Sequence, residues 1–165
     1  MEYSYSIVPI TDEDREPVMN IFNYYVENSF AAYPEERLPG EAFDLLRQMS
    51  KGLPAASVRA RDGGVVGFGM LRTHNPCPAF ARTAEVTSFL RPDWTGKGVG
   101  KAVLAFLEKG AREGGITNLL ASISSLNPGS IAFHARNGFV HCGRFIGVGY
   151  KLGRDFDTVW MQKKL

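Results

Sequence analysis

Three glycines fall within five residues in the stretch Thr95-Gly96-Lys97-Gly98-Val99-Gly100-Lys101. An apolar, β-prone segment, Ala84 to Leu90, leads into it, and a helical pattern, Val99 to Arg112, leads out. Glycine lets the backbone turn sharply and approach a ligand closely. The first turn of the following helix has N–H groups without intrahelical partners and carries the positive end of the helix dipole. Together these features make a site for a phosphate or pyrophosphate, and Lys97 and Lys101 add positive charge beside it. The spacing is neither that of a P-loop nor that of the dinucleotide fingerprint. A glycine-rich turn ahead of an ordinary helix accounts for the same residues. A second group is Phe30 and Tyr33, aromatics on a loop that could line a substrate pocket or pack on the core.

The rest of the composition narrows the chemistry. The chain of 165 residues is of a size for one domain with its own core, and its 44% hydrophobic and 22% charged content is ordinary for a globular protein. A net charge of +2 is too small to argue for nucleic acid. Apolar runs are short, so no membrane span is expected. The start, Met1-Glu2-Tyr3-Ser4, lacks a basic stretch followed by an apolar one, and a cytoplasmic protein is expected. Cys77 and Cys142 are expected to be free thiols. The three histidines, His74, His134 and His141, are scattered, so no metal site is expected.

The elements that position the glycine loop follow from hydrophobic period. Tyr3 to Pro9 reads as a first strand, and Thr11-Asp12-Glu13-Asp14 as a helix start ahead of Val18, Ile21, Phe22, Tyr25 and Val26. Gly40 to Lys51 is a short amphipathic helix whose apolar face is Ala42, Leu45, Leu46 and Met49. Ala55 to Arg61 and Val65 to Leu71 form a hairpin through Asp62-Gly63-Gly64. An irregular loop, Arg72 to Arg82, precedes a fourth strand, Thr83 to Leu90. Leu119 to Ser124 is a fifth strand. Asn127-Pro128 opens a helix that Gly138 ends, and Val140 to Val148 and Thr158 to Lys164 are two closing strands. The order β-α-α-β-β-β-α-β-α-β-β is mixed α/β and unlike a doubly wound sheet.

On these motifs the chain resembles the GNAT superfamily of acetyl-CoA-dependent N-acetyltransferases. Thr95-Gly96-Lys97-Gly98-Val99-Gly100 is similar to its cofactor motif Arg/Gln-x-x-Gly-x-Gly/Ala, with Thr95 at the Arg/Gln position. The segment from Asn127 to Phe139, with Ser130 and His134, resembles the phosphinothricin and methionine sulfoximine acetyltransferase branch, as do Ile21 to Tyr33 and Ala84-Glu85-Val86-Thr87-Ser88-Phe89-Leu90. Val148-Gly149-Tyr150-Lys151-Leu152-Gly153-Arg154-Asp155-Phe156-Asp157 is similar to the branch's C-terminal Gly-x-Lys-x-Gly-Arg-Trp-x-Asp, with Asp155 in place of Trp. His74-Asn75-Pro76 stands where the branch has Trp-Arg-Pro, and Ala81 where it has a second Arg.

The resemblance implies a mixed, mostly antiparallel sheet of about seven strands flanked by about four helices, in one domain over residues 1–165. It implies transfer of an acetyl group from acetyl-CoA to the primary amine of a small molecule, such as an amino acid or an analogue. A protein or peptide acceptor and a non-catalytic acetyl-CoA-binding module are the alternatives. Glu85 is then the base that frees the amine of its proton, and His134 supplies a proton or a hydrogen bond. The cofactor meets Ser88, Phe89, Leu90, Thr95, Gly96, Lys97, Gly98, Val99, Gly100, Lys101, Asn127 and Ser130, with a backbone N–H near Phe89 or Leu90 facing the thioester oxygen. Phe30, Tyr33, Arg72, His74, Arg82 and Thr83 are the residues for the acceptor. Relatives of this kind are commonly homodimers through their C-terminal strands, and a homodimer is expected.

Overall fold

The computed structural model describes residues 4–165, and in it seven strands form one sheet in the order β1-β2-β3-β4-β5-β7-β6. The strands are β1 Tyr5–Pro9, β2 Ala55–Ala60, β3 Val65–Thr73, β4 Thr83–Leu90, β5 Asn118–Ser124, β6 Val140–Lys151 and β7 Arg154–Lys164. Four helices accompany them: α1 Arg15–Asn28, α2 Ala42–Met49, α3 Val99–Glu113 and α4 Pro128–Arg136. The element order and the mostly antiparallel sheet agree with the sequence reading. The expected start of β1 at Tyr3 lies outside the described residues. No helix among the described residues is long and apolar enough to cross a membrane.

Alternation along the strands divides the apolar side chains between two layers. Leu71, Ala84, Leu119, Ala121, Val159 and Met161 face α3, where they bury Val99, Val103, Leu104 and Leu107. Phe68 and Met70 face the other way, onto Val18, Met19 and Ile21 of α1 and Phe43 of α2. In α2 the buried residue is Phe43, whereas Leu45 is 59% exposed, against the expected face. The larger ring takes the core-facing position, and two residues further on, at about 100° per residue, the helix points Leu45 away.

β4 and β5 form the sheet's parallel pair, and their ladder is short. It joins Thr83 to Asn118, Ala84 to Leu119 and Glu85 to Leu120, and goes no further. Beyond Glu85, β4 stays paired only with β3, and beyond Leu120, β5 stays paired only with β7. The two strands therefore part, leaving the facing backbone edges of Val86–Leu90 and Ala121–Ser124 in a wedge. A parted parallel pair presents unused N–H and C=O groups that a ligand can satisfy.

The C-terminal hairpin is longer than expected. β6 runs to Lys151 and β7 begins at Arg154, joined through Leu152 and Gly153, both at positive φ (50° and 74°). That is the geometry of the tight hairpin turn whose twist matches its strands. Two register shifts, between His141 and Gly143 and between Phe145 and Gly149, break the alternation that a sequence reading relies on. At the second, Asp157 accepts from Gly147 N and Arg144 Nε at 2.7 Å each, fixing the bulge.

Candidate active site

The glycine loop closes as its residue types require. Gly96 and Gly98 have φ of 71° and 80°, and no atom lies within 4 Å of where a Cβ would stand on either. Only glycine adopts this conformation readily, and the surface there is open for close approach. Gly98 caps α3. The Val99 side chain is buried in the core, so it anchors the loop, and only its backbone faces the loop. Gly100 serves packing, because a Cβ there would stand 3.4 Å from the Phe133 ring of α4. The Thr95 hydroxyl donates to the Pro92 carbonyl at 2.8 Å, and the Lys97 ammonium donates to the Asp93 carbonyl, so both turn back onto the loop. Lys101 is exposed in the first turn of α3.

β4 carries this loop at one end and the wedge along its flank. The Ser88 and Leu90 side chains lie on the α3 side and Phe89 on the α1 side, so these three residues meet the wedge through their backbone. At its upper end the Tyr25 hydroxyl of α1 donates to the Leu90 carbonyl at 2.5 Å, and burial pushes this phenol above its ordinary 10.0. Across the wedge stands α4. Asn127 caps it, its side-chain oxygen accepting from Ser130 N at 3.3 Å. His134 is 7% exposed, with its ring edge-on to Phe133 and Phe139. His134 Nδ1 lies 2.8 Å from the Ser130 carbonyl. A carbonyl accepts only, so Nδ1 carries the proton. Burial holds the imidazole below its ordinary 6.5, and the Ser130 contact pulls the other way. In the neutral ring that burial favours, Nε2 is then the acceptor.

At the root of the wedge sits Glu85. Arg72 is its direct cross-strand neighbour, and Arg72 Nη2 lies 2.7 Å from Glu85 Oε2. His74 Nδ1 lies 2.8 Å from Glu85 Oε1. The side chains are 14% exposed for Glu85, 26% for Arg72 and 28% for His74. The sequence places His74 in an irregular loop and leaves the facing of Arg72 open, whereas in the structure β3 extends to Thr73 and brings both to the carboxylate. Trp160 of β7 and Phe80 contact the His74 ring, with centroids 6.5 Å and 6.0 Å away. Arg72 Nε and Trp160 Nε1 are buried N–H donors without a hydrogen-bond partner among the described residues. Thr83 pairs with Asn118 at the base of the β4–β5 ladder. Arg82 is exposed and enters only through its carbonyl, which accepts from Thr117 N and Asn118 N.

The loop after α1 packs an aromatic wall against β7 and β5. Tyr33 stacks on Phe156 of β7 at 5.6 Å and 18°, and its hydroxyl lies 3.4 Å from Ser122 Oγ on β5. Phe30 meets the same Phe156 ring edge-on, and the Arg154 guanidinium lies 5.7 Å from the centroid of Phe30. Phe156 has its place because Gly149 lies opposite: a Cβ there would come 2.1 Å from the ring. The fully buried Lys151 donates to the carbonyls of Ser29 and Ala32 at 2.7 and 2.6 Å, fastening this loop to the hairpin. Trp160, Ser122, Tyr25 and Lys151 carry no site role in the sequence reading. The period-two pattern of Thr158 to Lys164 sets Trp160 on the face opposite Val159 and Met161, which is the signal that could have found it.

The assembly is a wedge between β4 and β5, a glycine-lined helix start at one end of it, and a carboxylate cluster at its root. Comparison with known proteins shows what the chain is similar to. The Acetyltransferase (GNAT) family matches residues 18–139. A phosphinothricin N-acetyltransferase of Alcaligenes faecalis is 31% identical over 94% of this chain and 80% of its own length. An L-methionine sulfoximine/L-methionine sulfone acetyltransferase of Pseudomonas paraeruginosa is 31% identical over 90% of this chain and 87% of its own. Among solved structures, a phosphinothricin acetyltransferase of Sinorhizobium meliloti in complex with AcCoA superposes with a TM-score of 0.93 at 27% identity, covering 100% of this chain and 89% of that one.

Proposed function

The chain belongs to the acetyltransferase (GNAT) family, and from that premise we propose how its own residues divide the work of N-acetylation. It is an acetyl-CoA-dependent N-acetyltransferase of small-molecule amines. The observation that carries the residue assignment is Glu85, set where β4 and β5 part and held there by Arg72 and His74.

The N–H groups at the start of α3, opened by Gly96 and Gly98, receive the pyrophosphate, and Lys101 adds charge. The exposed edge of Val86–Leu90 receives the pantetheine arm and directs an N–H at the thioester oxygen, where charge develops. Across the wedge, His134 Nε2 and the amide nitrogen of Asn127 supply an acceptor and a donor to the same arm. An amine attacks only when neutral, so the Glu85 cluster draws off its proton. Phe30, Tyr33 and Trp160 close the acceptor side against water. The unpartnered donors Arg72 Nε and Trp160 Nε1 support an acceptor that also carries an anionic group, as amino-acid analogues such as phosphinothricin and methionine sulfoximine do.

The protein acts as a homodimer in the cytoplasm in this reading. Support for the dimer comes from β6, an edge strand on which Phe145, Ile146, Val148 and Tyr150 are 60–75% exposed. Light scattering at the mass of one chain would refute it.

The test of function is thiol release from acetyl-CoA in the presence of phosphinothricin, methionine sulfoximine, methionine sulfone and a panel of peptides. Turnover with the small amines, reduced about 100-fold or more in Glu85→Gln, is the expected result. Acetylation of peptides alone would overturn it.

A further inference from the structure

Both oxygens of Glu85 are already engaged. Oε2 faces the Arg72 guanidinium at 2.7 Å and Oε1 faces His74 Nδ1 at 2.8 Å. A carboxylate beside a guanidinium is an acceptor, so the hydrogen in the His74 contact belongs to Nδ1. In neutral imidazole that leaves the lone pair on Nε2. The His74 ring touches Glu85 on β4 and Trp160 on β7, so it reaches over β5, just where the two parted strands begin. With 28% of its side chain exposed, it is the more accessible member of its pair with Glu85, whose side chain is 14% exposed. A positioned imidazole oriented by a less exposed carboxylate is the arrangement in which the ring takes the proton and the carboxylate sets its tautomer and stabilises its charge.

We propose that His74 Nε2 is the group that takes the proton of the incoming amine, with Glu85 as the positioning residue that holds the ring and Arg72 as the positioning residue that holds Glu85. The proposal rests on the acetyltransferase reading above. The substrate ammonium gives one proton to Nε2 and becomes a neutral amine. Its lone pair then forms the C–N bond to the thioester carbonyl. The C–S bond breaks, CoA leaves as the thiolate, and the second proton on nitrogen goes to that sulfur. The proton on His74 passes to water, so the sum is amide, CoA thiol and one proton. The charged and aromatic groups that face the ring are Glu85 of β4, Arg72 of β3 through that carboxylate, Trp160 of β7 and Phe80 of the intervening loop.

The test is a set of rates with acetyl-CoA and an amine that the wild type acetylates, such as methionine sulfone. His74→Ala should lower kcat by about 100-fold or more, with the calorimetric Kd for acetyl-CoA unchanged, which also shows that the variant is folded. Because the ring is partly exposed, imidazole added to His74→Ala should recover part of the rate in proportion to its concentration. Glu85→Gln should slow the reaction without such rescue. In the intact enzyme, kcat/KM for two amines of different basicity should fall on the acid side with one shared apparent pKa, and His74→Gln should remove that limb. An active wild type together with a His74→Ala variant within about threefold of its rate, or one that imidazole leaves unrecovered, overturns the proposal alone. A wild type that binds acetyl-CoA and acetylates no amine overturns the acetyltransferase reading, and the proposal with it.

Discussion

The Lys151 ammonium lies 2.6 Å from the Ala32 carbonyl, joining the end of β6 to a loop that precedes it by more than a hundred residues. Burial pushes this amine below its ordinary 10.5, and Glu35 pulls weakly the other way. The contact fixes the backbone between Phe30 and Tyr33, the two rings that rest on Phe156. Lys151→Met keeps the length of the side chain but leaves two carbonyls without their donor, at roughly 1–3 kcal/mol each. Hydrogen exchange should quicken in the Ser29–Pro39 segment well before the sheet opens. KM for the amine should rise while acetyl-CoA binding holds. Uniform acceleration across the whole chain would show instead that Lys151 supports the fold at large.

Gly149 answers to the same wall. A methyl group there would occupy the space of the Phe156 ring. Gly149→Ala should drive Phe156 out of its stack with Tyr33 and cost about 1–3 kcal/mol of stability. Thermal melting measures the loss, and amine KM reports the displaced wall. A variant with wild-type melting and kinetics would mean that β6 gives way at little cost.

Gly98 and Gly63 offer a controlled pair, with φ of 80° and 87° in the glycine loop ahead of α3 and in the β2–β3 turn respectively. Alanine at either should cost about 1–2 kcal/mol, since each imposes a side chain on left-handed backbone. Only Gly98→Ala should weaken acetyl-CoA binding, by about tenfold, because only there does relaxation of the backbone turn the α3 N–H groups away. Calorimetry on both variants decides it, and equal affinities would remove the loop from the binding site.

Burial of His134 links stability to pH. Its folded-state pKa is depressed below the ordinary 6.5 by burial. On acidification the unfolded chain takes up this proton first. The neutral ring's contribution to stability is therefore complete above about pH 6.5 and is lost as pH falls through the folded value. Between roughly pH 7.5 and 5.5 the Tm of the wild type should drop more than that of His134→Gln. Parallel curves would assign the acid sensitivity to other groups.

Most of the scaffold was legible because its signals are local. Asn127-Pro128 at the start of α4, the glycines around α3 and the alternation of Thr83 to Leu90 each depend on neighbours in the chain. Motif resemblance singles out Glu85, and it names Arg72 and His74 for the acceptor rather than as partners of that carboxylate. Whether Arg72 shares a face with Glu85 depends on β3 running straight to Thr73, which the mixed composition after Leu71 hides. The hairpin was cut short in the reading because Ile146-Gly147-Val148 breaks the period and Leu152 occupies a turn position where glycine or asparagine is usual. Lys151 stood in a recognised tail motif, yet its carbonyl partners lie on a distant loop that no periodicity announces.

The bulge that Asp157 clenches around Gly147 has a consequence for how chains of this protein behave at high concentration. β6 is a border of the sheet rich in exposed apolar residues, the kind of border on which strands of other molecules add without limit. The kink interrupts the row of backbone donors and acceptors, so a straight strand can align with only part of it. Growth into fibrils is obstructed while a partner of matching curvature is still admitted. Opening the bulge with Asp157→Asn would exchange a selective border for an adhesive one, visible as light-scattering aggregates on gentle heating.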